Sequence, residues 1–277
     1  MKKIIASIGA NSGLACKKFY PNYQAIVLPS FFDIFLQVEK GEIDYGIIPL
    51  ENSYAGRVSE IHNLLQDSDV TIIAEHFYAV EHDLCGVTDA DISSIKEVFS
   101  HPQALLQCRK NLKKLNQHWQ MHEYANTEEA AKYIKACGDK SKAAICSKII
   151  ANENNLKILA SNIGDAGSDN VTIFITIAKK PKELDCKNGK IITTLLFTVK
   201  NVQGALYNAL GCFANNNIDM IKLESYIPGG NSSQANFLIS LAADLKEDRL
   251  KSALKELQNF SQKVKVLGSY YADLARD

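Results

Sequence analysis

An excess of charge of either sign is missing from this 277-residue chain, in which Lys plus Arg and Asp plus Glu each number 31. Without a basic or acidic surplus, nothing points to nucleic acid or an anionic membrane surface as a partner. Long hydrophobic runs are missing too. No stretch approaches the ~20 apolar residues that a membrane span requires. The N-terminal Met-Lys-Lys-Ile-Ile-Ala-Ser-Ile-Gly carries an apolar run too short for the h-region of a secretory signal, so it reads as a first β-strand. Paired cysteines are absent. The seven, at 16, 85, 108, 137, 146, 186 and 212, are odd in number, scattered, and form no C-x-x-C pair. They read as reduced, mostly buried residues of a cytoplasmic protein, and no zinc site is expected. Nucleotide motifs are absent as well: the glycine-rich residues 9–13 match neither G-x-G-x-x-G nor the P-loop pattern.

What the chain does contain is enough for two compact α/β domains. Residues 3–8 form a strand leading into Gly-Ala-Asn-Ser-Gly, where Asn11 and Ser12 stand to cap a helix beginning near Leu14 or to meet an anionic group. Ser30 opens the next helix, with Asp33 in its first turn, Phe31, Ile34, Phe35 and Val38 on its apolar face, and Gly41 at its end. Residues 41–57 organise the rest. A buried strand (Ile43, Tyr45, Ile47, Ile48) is expected to stop at Pro49, which has no N–H for a ladder. Glu51, Asn52 and Ser53 follow, then Gly56 and Arg57. The carboxyl end of a strand in an open α/β sheet is where ligands bind, and these three side chains supply an acceptor, a donor–acceptor and a further donor. The alternative is a polar turn capping the next helix, residues 58–65. Extended segments at 70–75 and 77–87 flank His76, and the second holds His82, both histidines being read as structural.

A second cluster follows a strand ending at Val98-Phe99: Ser100-His101-Pro102-Gln103-Ala-Leu-Leu-Gln107-Cys108. Ser100 or His101 caps a helix with proline at its first position, and Gln103 lies in its first turn beside unpaired N–H groups. That is a place to hold a carboxylate. Helix 128–137, strand 142–147 and the long strand 170–178, with Asn170 and Thr172 at its start, complete the first domain.

Pro-Leu-Glu-Asn-Ser-x-x-Gly and Ser-His-Pro-Gln-Ala-Leu-x-Gln-Cys, in this order, resemble the two signatures of the prephenate dehydratases. Asn170, Thr172 and Phe174 match a third string, Asn-x-Thr-Arg-Phe, whose threonine supplies the catalytic hydroxyl; Ile173 stands where arginine is usual. Either another cation serves, Arg57 being the nearest motif-linked one, or activity is weakened. The glycine loop also departs from the frequent Gly-Pro-x-Gly-Thr-Phe-Ser. The resemblance implies two α/β lobes of the periplasmic-binding-protein kind around a cleft, residues 1–180 with the second lobe about 76–165. It implies catalytic roles for Thr172, Glu51, Asn52 and Gln103, and substrate contacts from Ser12, Ser53, Arg57, His101 and Asn170. The substrate is prephenate, with arogenate or a catalytically weakened amino-acid-responsive binding protein as alternatives, and no cofactor or metal is implied.

Residues 181–190 read as a polar linker. Beyond them the pattern is βαββαβ, a ferredoxin-like unit over 191–277, with strands at 191–199, 218–227, 235–242 and 263–270, helices at 204–215 and 245–260, and a turn at 228–231. Its segments resemble the amino-acid-binding ACT domain of the same enzymes, although Glu224-Ser225-Tyr226-Ile227 replaces the usual Glu-Ser-Arg-Pro. This implies phenylalanine as effector, held by Gly204, Ala205, Leu206, Leu223, Glu224 and Ser225. A four-stranded sheet with helices on one face leaves its other face and edges for pairing, so a homo-oligomer, dimer or tetramer, is expected.

Overall fold

The computed structural model describes residues 2–185, 189–227 and 235–276. The chain begins β1 (Ile4–Ser7), α1 (Gly9–Phe19), β2 (Gln24–Val27), α2 (Phe31–Lys40), β3 (Tyr45–Asn52), β4 (Gly56–Arg57), α3 (Ser59–Asp67) and β5 (Thr71–Ala79). It continues through β6 (Asp83–Gly86), β7 (Glu97–Ser100), α4 (Pro102–Gln107), α5 (Arg109–Leu115), β8 (Gln120–Glu123), α6 (Thr127–Cys137), β9 (Lys142–Cys146), α7 (Lys148–Glu153) and β10 (Lys157–Ala160). It returns by β11 (Val171–Ala178) to the first sheet, whose order is β2-β1-β3-β11-β5 with β4 paired to β3. The second sheet runs β10-β6-β9-β7-β8. Two α/β lobes result, joined by the crossings after β5 and before β11.

Local signals explain the elements that frame the cleft. Ser30 Oγ accepts from Asp33 N, Ile34, Phe35 and Val38 are buried, and Gly41 ends α2 at φ 79°, a conformation that suits a residue without Cβ. Three expectations need correction. The first helix starts at Gly9, so Asn11 and Ser12 lie in its first turn and do not cap it. The organising strand does not stop at Pro49 but runs to Asn52. Its ladder with β11 is irregular there, Leu50 bulging out between the pairs Phe174↔Pro49 and Ile173↔Glu51, and a bulge is where a strand tolerates a residue without an N–H. The segment around His76 is one strand, β5, paired along its length with β11.

The remaining chain is β12 (Ile191–Val199), α8 (Ala205–Asn215), β13 (Met220–Tyr226), β14 (Asn236–Leu241), α9 (Asp248–Phe260) and β15 (Ser261–Tyr271), the expected βαββαβ unit. Its sheet order is β13-β14-β12-β15; the turn expected at 228–231 lies outside the described residues, as do 186–188 of the linker. Helices α8 and α9 cover one face through Ala209, Phe213, Leu250 and Leu257. The other face, expected from the sequence to be available for pairing, is covered. Its Ile192, Leu196, Tyr226, Leu238 and Leu267 share a core with Ile61, Leu65, Val70 and Ile72 of the first lobe. The fit is close at Gly268 (φ 150°), where a Cβ would lie 2.2 Å from the Ile72 carbonyl oxygen. No described helix is long and apolar enough to cross a membrane.

Candidate active site

Between the lobes lies a cavity of about 400 Å³, lined among others by Ser12, Asn52, His82, His101, Gln103, Gln107, Asn126, Thr127, Asn170 and Thr172. The antiparallel pairing of β3 with β11 sets Thr172 opposite Asn52, so both side chains share one face. Asn52 Oδ1 accepts from the backbone N–H of Tyr54 (2.9 Å) and Ala55 (2.8 Å), an Asx turn that closes the strand. Its Nδ2 donates to Thr172 Oγ1 (2.9 Å) and Asn170 Oδ1 (2.9 Å). From the second lobe, His101 caps α4 through Nδ1, which accepts from Gln103 N (3.2 Å), with Pro102 at the first helical position. The Gln103 side chain makes no hydrogen bond among the described residues and is free for a ligand.

The cavity lining contains no lysine or arginine among the described residues. Positive potential comes instead from the N-terminal ends of α1, through Gly9, Asn11 and Ser12, and of α6, through Asn126 and Thr127. His82 lies in the wall with its pKa pushed down by burial, against the opposing effects of the Gln107 hydrogen bond and the Asp83 charge, so it is a neutral group there.

Six of the residues singled out in the sequence therefore meet: Ser12, Asn52, His101, Gln103, Asn170 and Thr172. Three do not line the cavity. Successive side chains of a strand point to opposite faces, so with Asn52 turned inward Glu51 points away, where it forms an ion pair with Lys222 of β13. Ser53 Oγ fastens the hairpin to β11, donating to Asp169 O (2.6 Å) and accepting from Val171 N (3.0 Å). Arg57 Nη1 donates to Ser225 O (2.6 Å). Two further lining residues were not among the site candidates: Gln107 had been given no role, and His82 had been read as structural. Gln107 had a legible signal, since it lies four residues after Gln103 on the same helix face.

The family model described as prephenate dehydratase matches residues 5–182. The chain belongs to the prephenate dehydratase family. It is 35% identical over 95% of its length to a bifunctional N-acyl-homoserine lactone acylase/prephenate dehydratase of Komagataeibacter europaeus, covering 93% of that protein. It is 32% identical over 95% of its length to the bifunctional chorismate mutase/prephenate dehydratase of Escherichia coli K12, of which it spans 68%. The solved prephenate dehydratase of Arthrobacter aurescens in complex with L-Phe superposes with TM-score 0.83 at 26% identity, covering 97% of this chain and 90% of that one.

At the position where prephenate dehydratases usually carry arginine, Ile173 is paired with Glu51 and Phe77, on the face opposite to Thr172. A guanidinium there would reach Glu51 and not the cavity. Of the residues expected to hold an effector, Gly204 is the N-cap of α8 at φ 76°, Ala205 is buried, Leu206 half-buried and Leu223 exposed. Glu224 is already engaged: Oε2 accepts from His62 Nε2 (2.7 Å) and Oε1 lies 3.2 Å from Lys222 Nζ. Burial opposes its ionisation, but the His62 hydrogen bond and the Lys222 charge hold it at about 2.

Proposed function

We propose that this chain converts prephenate to phenylpyruvate, carbon dioxide and water. Loss of the ring carboxylate as carbon dioxide leaves its electron pair on the ring, which expels the ring hydroxyl. With one proton the hydroxyl departs as water, and aromatisation drives the reaction without redox chemistry. The protein has to hold a dianion and assist the leaving oxygen. The observation that carries this reading is the Asn52–Thr172 pair set in a cavity whose described lining holds no lysine, arginine or carboxylate. Thr172 donates to the leaving hydroxyl, and Asn52, Gln103 and Asn170 orient the substrate. The starts of α1, with Ser12, and of α6 hold carboxylate oxygens through backbone N–H groups. A cavity with no lysine or arginine among its described lining residues also leaves the departing carboxylate poorly stabilised relative to neutral carbon dioxide. Glu51, Ser53 and Arg57 serve the site by fixing the hairpin that carries Asn52.

Residues 1–180 form the catalytic unit, 181–190 the linker and 191–277 the regulatory ACT unit; the change of sheet between Ala79 and Asp83 supports a second lobe starting slightly after residue 76. Phenylalanine is the effector, a reading supported by the L-Phe complex of the Arthrobacter aurescens relative. The β13 edge, with Leu223 exposed, supports association of two or more copies through these sheets. The unpaired cysteines, five of the six described being buried, support the cytoplasm as location. Turnover assays of the purified protein with prephenate and with arogenate test the substrate, and phenylpyruvate is the expected product. Calorimetry with phenylalanine tests the effector. Turnover of arogenate alone, or of neither compound, refutes the reading.

A further inference from the structure

The hydrogen bonds behind Thr172 have one consistent direction, and it starts from the backbone. The N–H groups of Tyr54 and Ala55 only donate, so the oxygen of the Asn52 carboxamide faces them and its NH₂ faces Thr172 and Asn170. That NH₂ only donates, so Asn170 presents Oδ1 to Asn52 and turns Nδ2 towards Gln107 Oε1 (3.1 Å). The same Gln107 oxygen lies 2.8 Å from His82 Nε2, which must therefore carry the proton. At the other end Thr172 Oγ1 accepts from Asn52 and has no other hydrogen bond among the described residues. Its own proton is left for a group in the cavity that Thr172 lines.

Building on the dehydratase reading above, we propose that His82 and Gln107 are positioning residues of the reaction, holding the Asn170 carboxamide that braces the backbone-fixed Asn52 amide, so that Thr172 is held as a donor to the leaving hydroxyl. The chain of bonds also crosses the cleft. Gln107 ends α4 beside the second sheet, whereas Asn170 precedes β11 of the first, so the link forms only when the lobes stand at this separation. His82 is 6% exposed and Asn170 4%, so water does not readily replace either partner. Burial keeps His82 a neutral donor, as the chain requires.

The test is a pair of variants with a spectroscopic readout. His82→Leu removes the terminal donor and lowers kcat roughly tenfold with KM within about twofold, the scale of one misdirected hydrogen bond. His82→Gln, whose amide nitrogen falls near the position of Nε2, restores most of kcat. In the intact protein labelled with ¹⁵N-histidine, the resonance lost in His82→Gln shows Nε2 protonated and Nδ1 bare. Wild-type kcat in His82→Leu, equal damage in a folded His82→Gln, or a proton on Nδ1 each overturns the proposal. If His82→Leu fails to fold, the tautomer decides. If the wild-type protein does not turn over prephenate, the reading of the reaction fails, and the tautomer still tests the bond direction.

Discussion

Lys222 is the residue whose loss tests most directly whether the C-terminal sheet supports the hairpin that carries Asn52. Glu51 and Arg57 face each other across β3 and β4, on either side of Asn52, and both reach β13: Glu51 through the Lys222 ammonium, Arg57 through the Ser225 carbonyl. Lys222→Met keeps most of the aliphatic stem and removes the charge. Glu51 is then left without its cation and Glu224 with His62 alone. Breaking a fully buried pair costs ~3–5 kcal/mol and an exposed one ~0–1 kcal/mol. Here the Lys222 side chain is 14% exposed, Glu224 18% and Glu51 34%, so water relieves Glu51 in part and the expected loss is about 2 kcal/mol. For a chain of this size that lowers Tm by roughly 4–8 °C. Adding Glu51→Gln to Lys222→Met should cost little more, giving a coupling of about 1–2 kcal/mol in a double-mutant cycle followed by thermal unfolding. Acid provides an independent arm. Glu224 has an ordinary pKa of 4.5 and is held at about 2 in the folded chain, so its contribution is complete above 4.5 and disappears as pH falls from 4.5 towards 2. Without Lys222 its folded pKa rises, the gap to the unfolded chain narrows, and Tm depends less on pH in that window. Additive effects of Glu51→Gln and Lys222→Met, or an unchanged acid profile, would refute the reasoning.

Thr172→Ala removes the donor to the leaving hydroxyl and should lower kcat by roughly 10²-fold or more with KM nearly unchanged, measured as steady-state phenylpyruvate formation; near wild-type kcat would remove Thr172 from the mechanism. Ile173→Arg places a guanidinium beside Glu51, so KM for prephenate should stay within about twofold while the stability cost of Lys222→Met is partly rescued; a steep fall in KM would show that position 173 does reach the cavity. Deleting residues 190–277 uncovers Ile61, Leu65 and Ile72 and strips Glu51 of Lys222, so the remaining fragment should bind a hydrophobic dye and melt below the intact chain. A fragment that melts at the temperature of the intact chain would contradict the packing described.

Local chemistry made most of the frame legible. A serine cap, an apolar stripe and a glycine with positive φ defined α2 without tertiary information, and the βαββαβ order of strands and helices defined the C-terminal unit. Asn52 and Gln103 were found because each stands where a strand gives way to a turn or helix. The orientation of their neighbours was not legible, and the cause is a single residue. Reading Pro49 as the end of the strand turned Glu51, Asn52 and Ser53 into one polar cluster. Once the strand continues past a bulge at Leu50, the period of two sends Glu51 to the opposite face. His82 was illegible for a different reason, since its meaning depends on an oxygen of Gln107, 25 residues away.

The covered face of the C-terminal sheet lies between these cases. Lys222, Glu224 and Tyr226 alternate along β13 as an inward-facing row would, but two charges in such a row read as solvent-facing until a partner is known. The partner is α3, which presents His62 to Glu224 and Gln66 to Tyr226, and whose last carbonyls, Leu65 O and Gln66 O, accept from Lys265 of β15. α3 directly follows the hairpin that holds Asn52. A shift of the C-terminal sheet therefore acts on both sides of Asn52, a side chain of the cavity, and on the helix that follows it. Coupling between an effector and the reaction needs no more than a difference in how well the two states of that sheet keep this grip.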